Sequence, residues 1–413
     1  MLKNYFKIAI AVLKRRKFFT FISLFGISFT LTILIVLTAF IDHLLSPAYP
    51  DVNRDRELFM TRMKYESSKA DWINQSSPSF YFFDHYVSKL KANFKLALYT
   101  NNQSANAYHD NKKIVVDLKY TNVTFWEVYQ FEFLEGRPYN KQQLTNADKV
   151  VVISTDARDK YFGEGSTAVG QYLEANNIRY RVIGVVRPAP FLNYYAYSEI
   201  YLPYTLSSSN LKGTNLMGDF NGTLLANSAS DLPGIKGGFN QMARKLPPPN
   251  KEMDLVFTSA DTFLESYTKI YARDGNDTGK LRAFLIGGTI LFLFMLLPTI
   301  NLVNINISRI MERSSEIGVR KAFGASSKTL AYQFIVENLI LTLFGGLLGL
   351  VFSLIVIYFL NSSQLAPHMN LHINFTVLFY SICACLFFGL FSGVYPAWRM
   401  SKMDVVKALK INN

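Results

Sequence analysis

The residues able to do chemistry in this 413-residue sequence are few and poorly placed for it. His368 and His372 stand four apart, a spacing that zinc sites use, but no Asp or Glu lies in the same loop to complete a ligand set. They read as interfacial loop residues. Cys383 and Cys385 are two apart, so they face different sides of a helix, in an apolar stretch with no other ligand nearby. Asp156 and Asp159 read as solvated loop charges. No H-E-x-x-H, G-x-S-x-G or G-x-x-x-x-G-K-[ST] pattern occurs. Gly324-Ala325-Ser326-Ser327-Lys328-Thr329 resembles the end of a phosphate loop, yet it lacks the second glycine before the lysine. The residues leading into it, 312–323, read as helix where a phosphate loop needs a strand. Catalytic, cofactor-binding and metal-binding residues are therefore expected to be none, and the chain is not expected to hydrolyse ATP by itself.

The elements around these residues are set by where charge is missing. Half the residues are hydrophobic, which is ordinary, but four stretches hold no Asp, Glu, Lys or Arg: 18–41, 283–308, 338–360 and 373–398. As helices they reach about 35–39 Å at 1.5 Å per residue, enough for a hydrocarbon core of about 30 Å. A soluble enzyme of one or two domains and a disordered chain are both excluded. The expected membrane helices are 18–41, 283–308, 329–360 and 373–398. Glu337, at the edge of the third, is the one acid near hydrocarbon and is expected to anchor the helix or pair with a basic loop.

Net charge is +13. Residues 1–17 carry +6, 309–328 carry +3 and 399–413 carry +3, whereas 43–280 carries only +2. Short basic loops stay in the cytoplasm and long domains cross regardless of charge. Both termini and 309–328 are thus expected inside, and 43–280 and the loop 361–372 outside. The basic excess is a topology signal and no sign of nucleic-acid binding. In residues 1–17, Lys3, Lys7 and Lys14 fall on one helical face with Phe6, Ile10 and Leu13 opposite, which reads as an amphipathic interfacial helix or as a simple basic flank. The 24-residue apolar run behind it exceeds a signal-peptide core, so an uncleaved anchor is expected.

Residues 43–280 are long enough for a core of their own and read as an extracytoplasmic α+β domain inserted between helices 1 and 2. The expected halves are about 50–105 and 221–275, with a β-rich insertion at about 106–210. In the first half, strands at 57–63 and 95–100 flank an amphipathic helix near 79–93. In the second, strands at 223–226 and 254–258 accompany helices at 231–245 and 260–271, with Pro247-Pro248-Pro249 as a turn. The insertion offers strands at 114–118, 150–153, 179–186 and 199–202. It holds no cysteine, so no disulfide supports it.

The most informative segment is 309–328. Glu312 and Glu316, and Glu316 and Arg320, are i, i+4 pairs that favour a short helix. Gly324 should stop it, and Ser326 or Ser327 should cap the next one. Ile317, Val319 and Phe323 are apolar in a loop that should be solvated, so a partner or the membrane surface is expected to cover them. The pattern Glu312-Arg313-x-x-Glu316-Ile317-Gly318-x-Arg320-Lys321-Ala322-x-Gly324-Ala325 resembles the hallmark of FtsX-like and MacB-type ABC transporter permeases. Further likeness lies in Asn4-Tyr5-Phe6-Lys7-Ile8-Ala9, Leu134-Glu135-Gly136-Arg137, 149–153, Tyr161-Phe162-Gly163, 180–186 and Tyr395-Pro396-Ala397. Trp398 stands where the family commonly has a basic residue, and Val405 where it commonly has proline.

The resemblance implies a four-helix permease of the mechanotransmission type in the bacterial inner membrane, with a periplasmic domain. It implies pairing as a homodimer or with a related permease, and a separate cytoplasmic ABC ATPase that binds the ATP and magnesium. Glu312, Arg313, Glu316, Ile317, Gly318, Arg320, Lys321, Phe323 and Gly324 would seat in a groove of that ATPase, and nucleotide-driven closure would move the periplasmic domain. A periplasmic adaptor, a lipoprotein or an outer-membrane channel would be a further partner. The output is then export or extrusion of a peptide, lipoprotein or drug; the alternative is a signalling scaffold that activates a cell-wall hydrolase, as FtsX itself does.

Overall fold

The structure, a computed structural model, describes residues 10–11, 15, 17–109, 112–272, 277–311, 319–320, 322–324, 326–363, 368–376, 378–380, 382–383 and 386–387. In chain order it forms α1 (Lys17–Leu45), β1 (Glu57–Met60), β2 (Met63–Glu66), β3 (Ile73–Pro78), α2 (Phe80–His85), β4 (Phe94–Thr100), β5 (Gln103–His109) and β6 (Lys112–Thr121). Then come α3 (Phe125–Val128), β7 (Phe133–Gly136), α4 (Lys141–Thr145), β8 (Val150–Ser154), α5 (Thr155–Phe162), β9 (Tyr172–Ala175), β10 (Ile178–Val186) and β11 (Ile200–Pro203). The last elements are β12 (Met217–Gly218), β13 (Phe220–Ala226), α6 (Leu232–Ala243), β14 (Leu255–Thr258), α7 (Phe263–Thr268), α8 (Lys280–Met311) and α9 (Ser327–Ser362). The chain divides into a helical unit (Met1–His43, Leu285–Leu365, Asn370–Asn413) and a sheet unit (Leu44–Phe284, Ala366–Met369).

Burial on both faces sets the frame of the sheet unit. Every residue of β13 is buried. Its even positions Phe220, Leu224 and Ala226 enter one core with Phe82, Phe83, Ile235 and Phe239. On the other face Leu225 joins an aromatic core around Phe59, Tyr99, Phe125 and Tyr201, where Thr223 Oγ1 lies 2.9 Å from Tyr99 Oη and 2.8 Å from Tyr129 Oη. This is the period-2 alternation of a strand covered on both sides. β13 pairs antiparallel with β1 and β4, and the sheet continues through β6, β11, β8, β10 and β9 to β5. Because β5 also pairs with β6, six strands close on themselves around Leu118, Val151, Ile153, Leu173, Val182 and Ile200. Closure removes the exposed edges that an open sheet would leave. The strands of the expected insertion therefore continue the sheet of the two halves, joined at the register pair Tyr99–Thr121. A second sheet runs β12-β3-β2-β14.

Two expectations need correction. The strand at 57–63 is two strands, β1 in the long sheet and β2 in the short one, with the chain crossing between sheets at Thr61 and Arg62. The helix near 79–93 stops at His85; a 3-10 turn at Val87–Lys89 follows and Leu90 is extended. A helix running to residue 93 would leave nothing to reverse the chain into β4, which starts at Phe94. Ser79 caps α2 as its spacing suggests, accepting from the Phe82 amide at 3.1 Å.

In the helical unit, α1 and α9 are long and apolar enough, by length and composition, to cross a membrane; α8 carries the uncharged stretch 283–308. α1 and α9 pack closely and run the same way, since Ile27 meets Leu341 and Gly345 while Ser28 and Leu31 meet Gly349. A Cβ on Gly345 would lie 2.6 Å from Ile27 Cγ2, and one on Gly349 would lie 2.9 Å from the Ser28 carbonyl oxygen. This small-xxx-small spacing lets the backbones approach, and Thr32 Oγ1 donates across the contact to the Gly349 carbonyl at 3.1 Å. Most of 1–17 and 373–398, and all of 399–413, lie outside the described residues.

Candidate functional site

Of the predicted coupling residues, Glu312, Arg313, Glu316, Ile317, Gly318 and Lys321 lie outside the described residues; Arg320, Phe323 and Gly324 are described. The Phe323 amide donates to the Val319 carbonyl at 3.0 Å, closing a helical turn. Gly324 follows at φ +88°, the left-handed stop that a side chain would resist. Ser326 then caps α9, its Oγ accepting from the Thr329 amide at 3.2 Å. The helix stop and restart fall where the sequence puts them. Phe323 is 88% exposed and Val319 46%, so this turn presents apolar surface. Arg320 Nη1 donates to Gln333 Oε1 at 3.2 Å, and Gln333 Nε2 donates to Glu337 Oε1 at 3.1 Å. Gln333 and Glu337 are both buried. Glu337 thus belongs to a polar chain that ties the segment to α9.

The sheet unit clamps both of its chain connections onto one short helix, α7. On the incoming side Arg54 is buried; its Nε donates to Asp51 Oδ2 at 2.8 Å and its Nη1 to the carbonyls of Leu44 and Ser46 at 2.7 and 2.9 Å. Its guanidinium lies 3.8 Å from the centre of the Phe263 ring, a cation–π contact that burial strengthens. On the outgoing side, Glu265 takes Lys236 Nζ at 2.5 Å and Lys280 Nζ at 3.0 Å while capping α7 through the Thr262 amide at 2.8 Å. Burial alone would raise its carboxyl, but the Lys236, Thr262 and Lys280 hydrogen bonds outweigh it and hold the group down at about 2. Thr268 Oγ1 donates to the Thr278 carbonyl at 2.9 Å. Gly279, at φ +70°, lets the chain press so close to α7 that a Cβ would sit 2.1 Å from the Thr268 carbonyl oxygen. Beside this clamp, Glu57 is fully buried and faces Asp51. Burial first, and then the Asp51 charge, push its carboxyl well above the usual range.

Asp156, Asp159 and His368 are held in contacts within the sheet unit. Asp156 and Asp159 are on helix α5, which corrects their reading as loop charges: Asp159 Oδ1 pairs with Arg158 Nε at 2.8 Å, and Asp156 Oδ2 lies 2.6 Å from His368 Nε2. His368 is thus taken by a carboxylate, and no group of three or more metal-ligating residues occurs among the described residues. Sequence reading missed the clamp because its members are remote in the chain. The D-x-x-R-x-x-E spacing of Asp51, Arg54 and Glu57 was the available signal, and it resembles ordinary surface charge.

Known families match two parts of the chain. Residues 20–237 match the MacB-like periplasmic core domain and residues 288–405 match the FtsX-like permease C-terminal domain. The macrolide export ATP-binding/permease protein MacB of Salmonella typhimurium is 25% identical over 366 residues, covering 87% of this chain and 50% of the relative. The protein of the same name from Escherichia coli K12 is 24% identical over 316 residues, covering 74% and 45%. The chain spans about half the length of the curated relatives it matches. The periplasmic region of MacB from Actinobacillus actinomycetemcomitans aligns at a TM-score of 0.35 with 16% identity, over 52% of this chain and 94% of that one. A permease domain from Porphyromonas gingivalis aligns at 0.40 with 13% identity, over 52% and 92%. With more than half of this chain matching the periplasmic core domain and the permease domain matching after it, the chain belongs to the family of MacB-type, FtsX-like ABC transporter permeases.

Proposed function

We propose that this chain is the permease part of an ABC transporter, in which ATP hydrolysis by a separate cytoplasmic ATPase drives the periplasmic domain to export or extrude a substrate on the periplasmic side. Among the four helices of this reading, α1 and α9 run in the same direction, as the first and third spans of a four-span chain must. The observation that carries the mechanism is the paired linkage at the two ends of the moving parts. At one end, Arg320 in the coupling segment is hydrogen-bonded through Gln333 to the buried Glu337 of α9. At the other, the ends of α1 and α8 are both fixed to α7 by buried ions. Packed, ion-paired elements move as bodies and have little freedom to absorb a displacement locally. The chain thereby acts as a lever pair. It works as a homodimer or beside a related permease, with both termini cytoplasmic. Single-cysteine labelling of the full-length chain in intact cells tests the arrangement. A cysteine at Ser166 should react with an impermeant reagent and one at Ser314 should not; a protected Ser166 site would overturn the reading.

A further inference from the structure

The sheet unit holds a cleft of about 330 Å³, within the usual size of a small-molecule site. Its walls come from six places in the chain: Arg62 at the crossing from β1 to β2, Gln75 on β3, Asn101 after β4, Tyr194 before β11, Asn221 on β13 and Tyr267 of α7. Three features say what would fit.

The first is charge. No carboxylate lines the cleft, and Arg62 is its one charged side chain. Arg54, Arg158, Arg187 and Arg282 each sit on a carboxylate, whereas the Arg62 guanidinium has no ion-pair or hydrogen-bond partner among the described residues. A half-buried, unpaired guanidinium is a site for an acid, since its planar fork matches carboxylate and phosphate oxygens.

The second is a wall of amides and hydroxyls. Asn221 is 2% exposed on β13, every residue of which is buried. Its Nδ2 donates to Asn101 Oδ1 at 2.6 Å and its Oδ1 accepts from Ser77 Oγ at 3.2 Å. Each amide has a second proton and a second lone pair beyond these bonds, so the wall is pre-oriented and has capacity to spare. An apolar ligand would bury that capacity unpaired.

The third is an aromatic ring carried on a pinned loop. Tyr194 is half exposed. The buried Lys119 Nζ donates to its carbonyl at 2.9 Å and to that of Tyr195 at 2.8 Å, and Tyr195 Oη donates to Ser266 Oγ at 2.9 Å. The loop is pinned before any ligand arrives, which lowers the ordering cost of binding. A lysine buried here needs a reason, and holding this loop is one.

Taken together, an unpaired guanidinium, a polar wall with spare donors and acceptors, and a ring face on a pinned loop form the recognition set for one kind of molecule. We propose that this cleft binds an acidic saccharide, with its carboxylate or phosphate on Arg62, its hydroxyls on the Asn101–Asn221–Gln75 wall and the C–H face of its ring against Tyr194. The hydroxyls satisfy the amides, and the positively polarised C–H face suits the negative face of the tyrosine ring.

Calorimetric titration of the full-length chain in detergent micelles tests this without any ATPase, so its outcome is separate from that of the permease reading. The probes are N-acetylmuramic acid, glucosamine 6-phosphate and neutral N-acetylglucosamine, with lactate and inorganic phosphate as the acids without a ring. One acidic sugar should bind at about 1 mM or tighter, and the neutral sugar and free acids about tenfold more weakly or worse, as expected for losing one charge-assisted pair or the ring contact. Which acidic sugar binds distinguishes carboxylate from phosphate. Arg62→Gln should erase the preference for the acid, and Tyr194→Ala should weaken both sugars, with wild-type unfolding temperatures throughout. The proposal is overturned if neither acidic sugar binds, if the neutral sugar or the free acids bind equally well, or if the folded variants bind as the wild type does.

Discussion

Replacing Glu265 by glutamine removes one charge from the clamp and keeps its shape. The glutamine oxygen still accepts from the Thr262 amide, so the cap on α7 survives, but Lys236 and Lys280 lose the carboxylate they share. The native carboxyl is held at about 2 against an ordinary 4.5; at about 1.4 kcal/mol per pH unit the linkage is worth about 3.5 kcal/mol at most, and about 3 kcal/mol at neutral pH once partial solvent screening is allowed for. Because the folded value is depressed, that stability is present above 4.5 and is lost as pH falls from there towards 2. Glu265→Gln should therefore lower the stability of the sheet unit by about 3 kcal/mol at pH 7, a large part of a typical domain's total. For a unit of this size it should lower the unfolding temperature by about 6–12 °C. Thermal unfolding of the full-length protein in detergent, followed by tyrosine and tryptophan fluorescence between pH 7 and pH 3, reads both quantities. The variant should also show a flatter acid limb than the wild type. A variant within about 0.5 kcal/mol of wild type at pH 7, or one retaining the wild-type acid slope, would refute the idea that this carboxylate holds α8 to α7.

Other consequences follow from neighbouring features. Glu57 is raised by burial and by Asp51, so its contribution is greatest below the ordinary carboxyl range and declines as pH rises; Glu57→Gln should be more stable than wild type at pH 8 and should lose that slope, and a variant less stable at pH 8 would show that Glu57 folds as a carboxylate. Gly345→Ala should destabilise the α1–α9 contact by about 1–3 kcal/mol through overpacking on Ile27. Gly346→Ala, whose Cβ would find Leu31 Cδ2 at an ordinary 3.8 Å, should be neutral or slightly stabilising; denaturation in mixed detergent separates the two, and equal effects would contradict the packing.

The legible parts of this protein are those governed by local rules. The uncharged stretches mark α1, α8 and α9, the glycine at 324 and the serine at 326 mark the stop and restart around the coupling segment, and apolar runs mark β4, β8, β10 and β13. Barrel closure was not legible because the two strands that complete it are polar or short. β5, with sequence QSANAYH, offers Ala105 and Ala107 to the barrel core, and β9 is the four-residue YLEA. The division of 57–63 was hidden for the opposite reason: apolar residues continue across the point where the chain changes sheets. The α7 clamp joins residues 54, 236, 265 and 280, whose proximity is a property of topology alone.

The central claim is that a separate ATPase drives this permease through residues 312–324, and Ile317 tests it most directly. The full-length chain should be purified together with the ABC ATPase produced beside it, and ATP turnover measured for wild type, Ile317→Asp and Glu316→Gln. An apolar anchor of this size contributes about 1.5–3 kcal/mol when buried against a partner, whereas an exposed ion pair contributes about 0–1 kcal/mol. Ile317→Asp should therefore insert and fold normally but lose ATPase association and stimulated turnover, with Glu316→Gln only mildly impaired. An Ile317→Asp chain that retains the ATPase and turns over ATP at the wild-type rate would contradict the account.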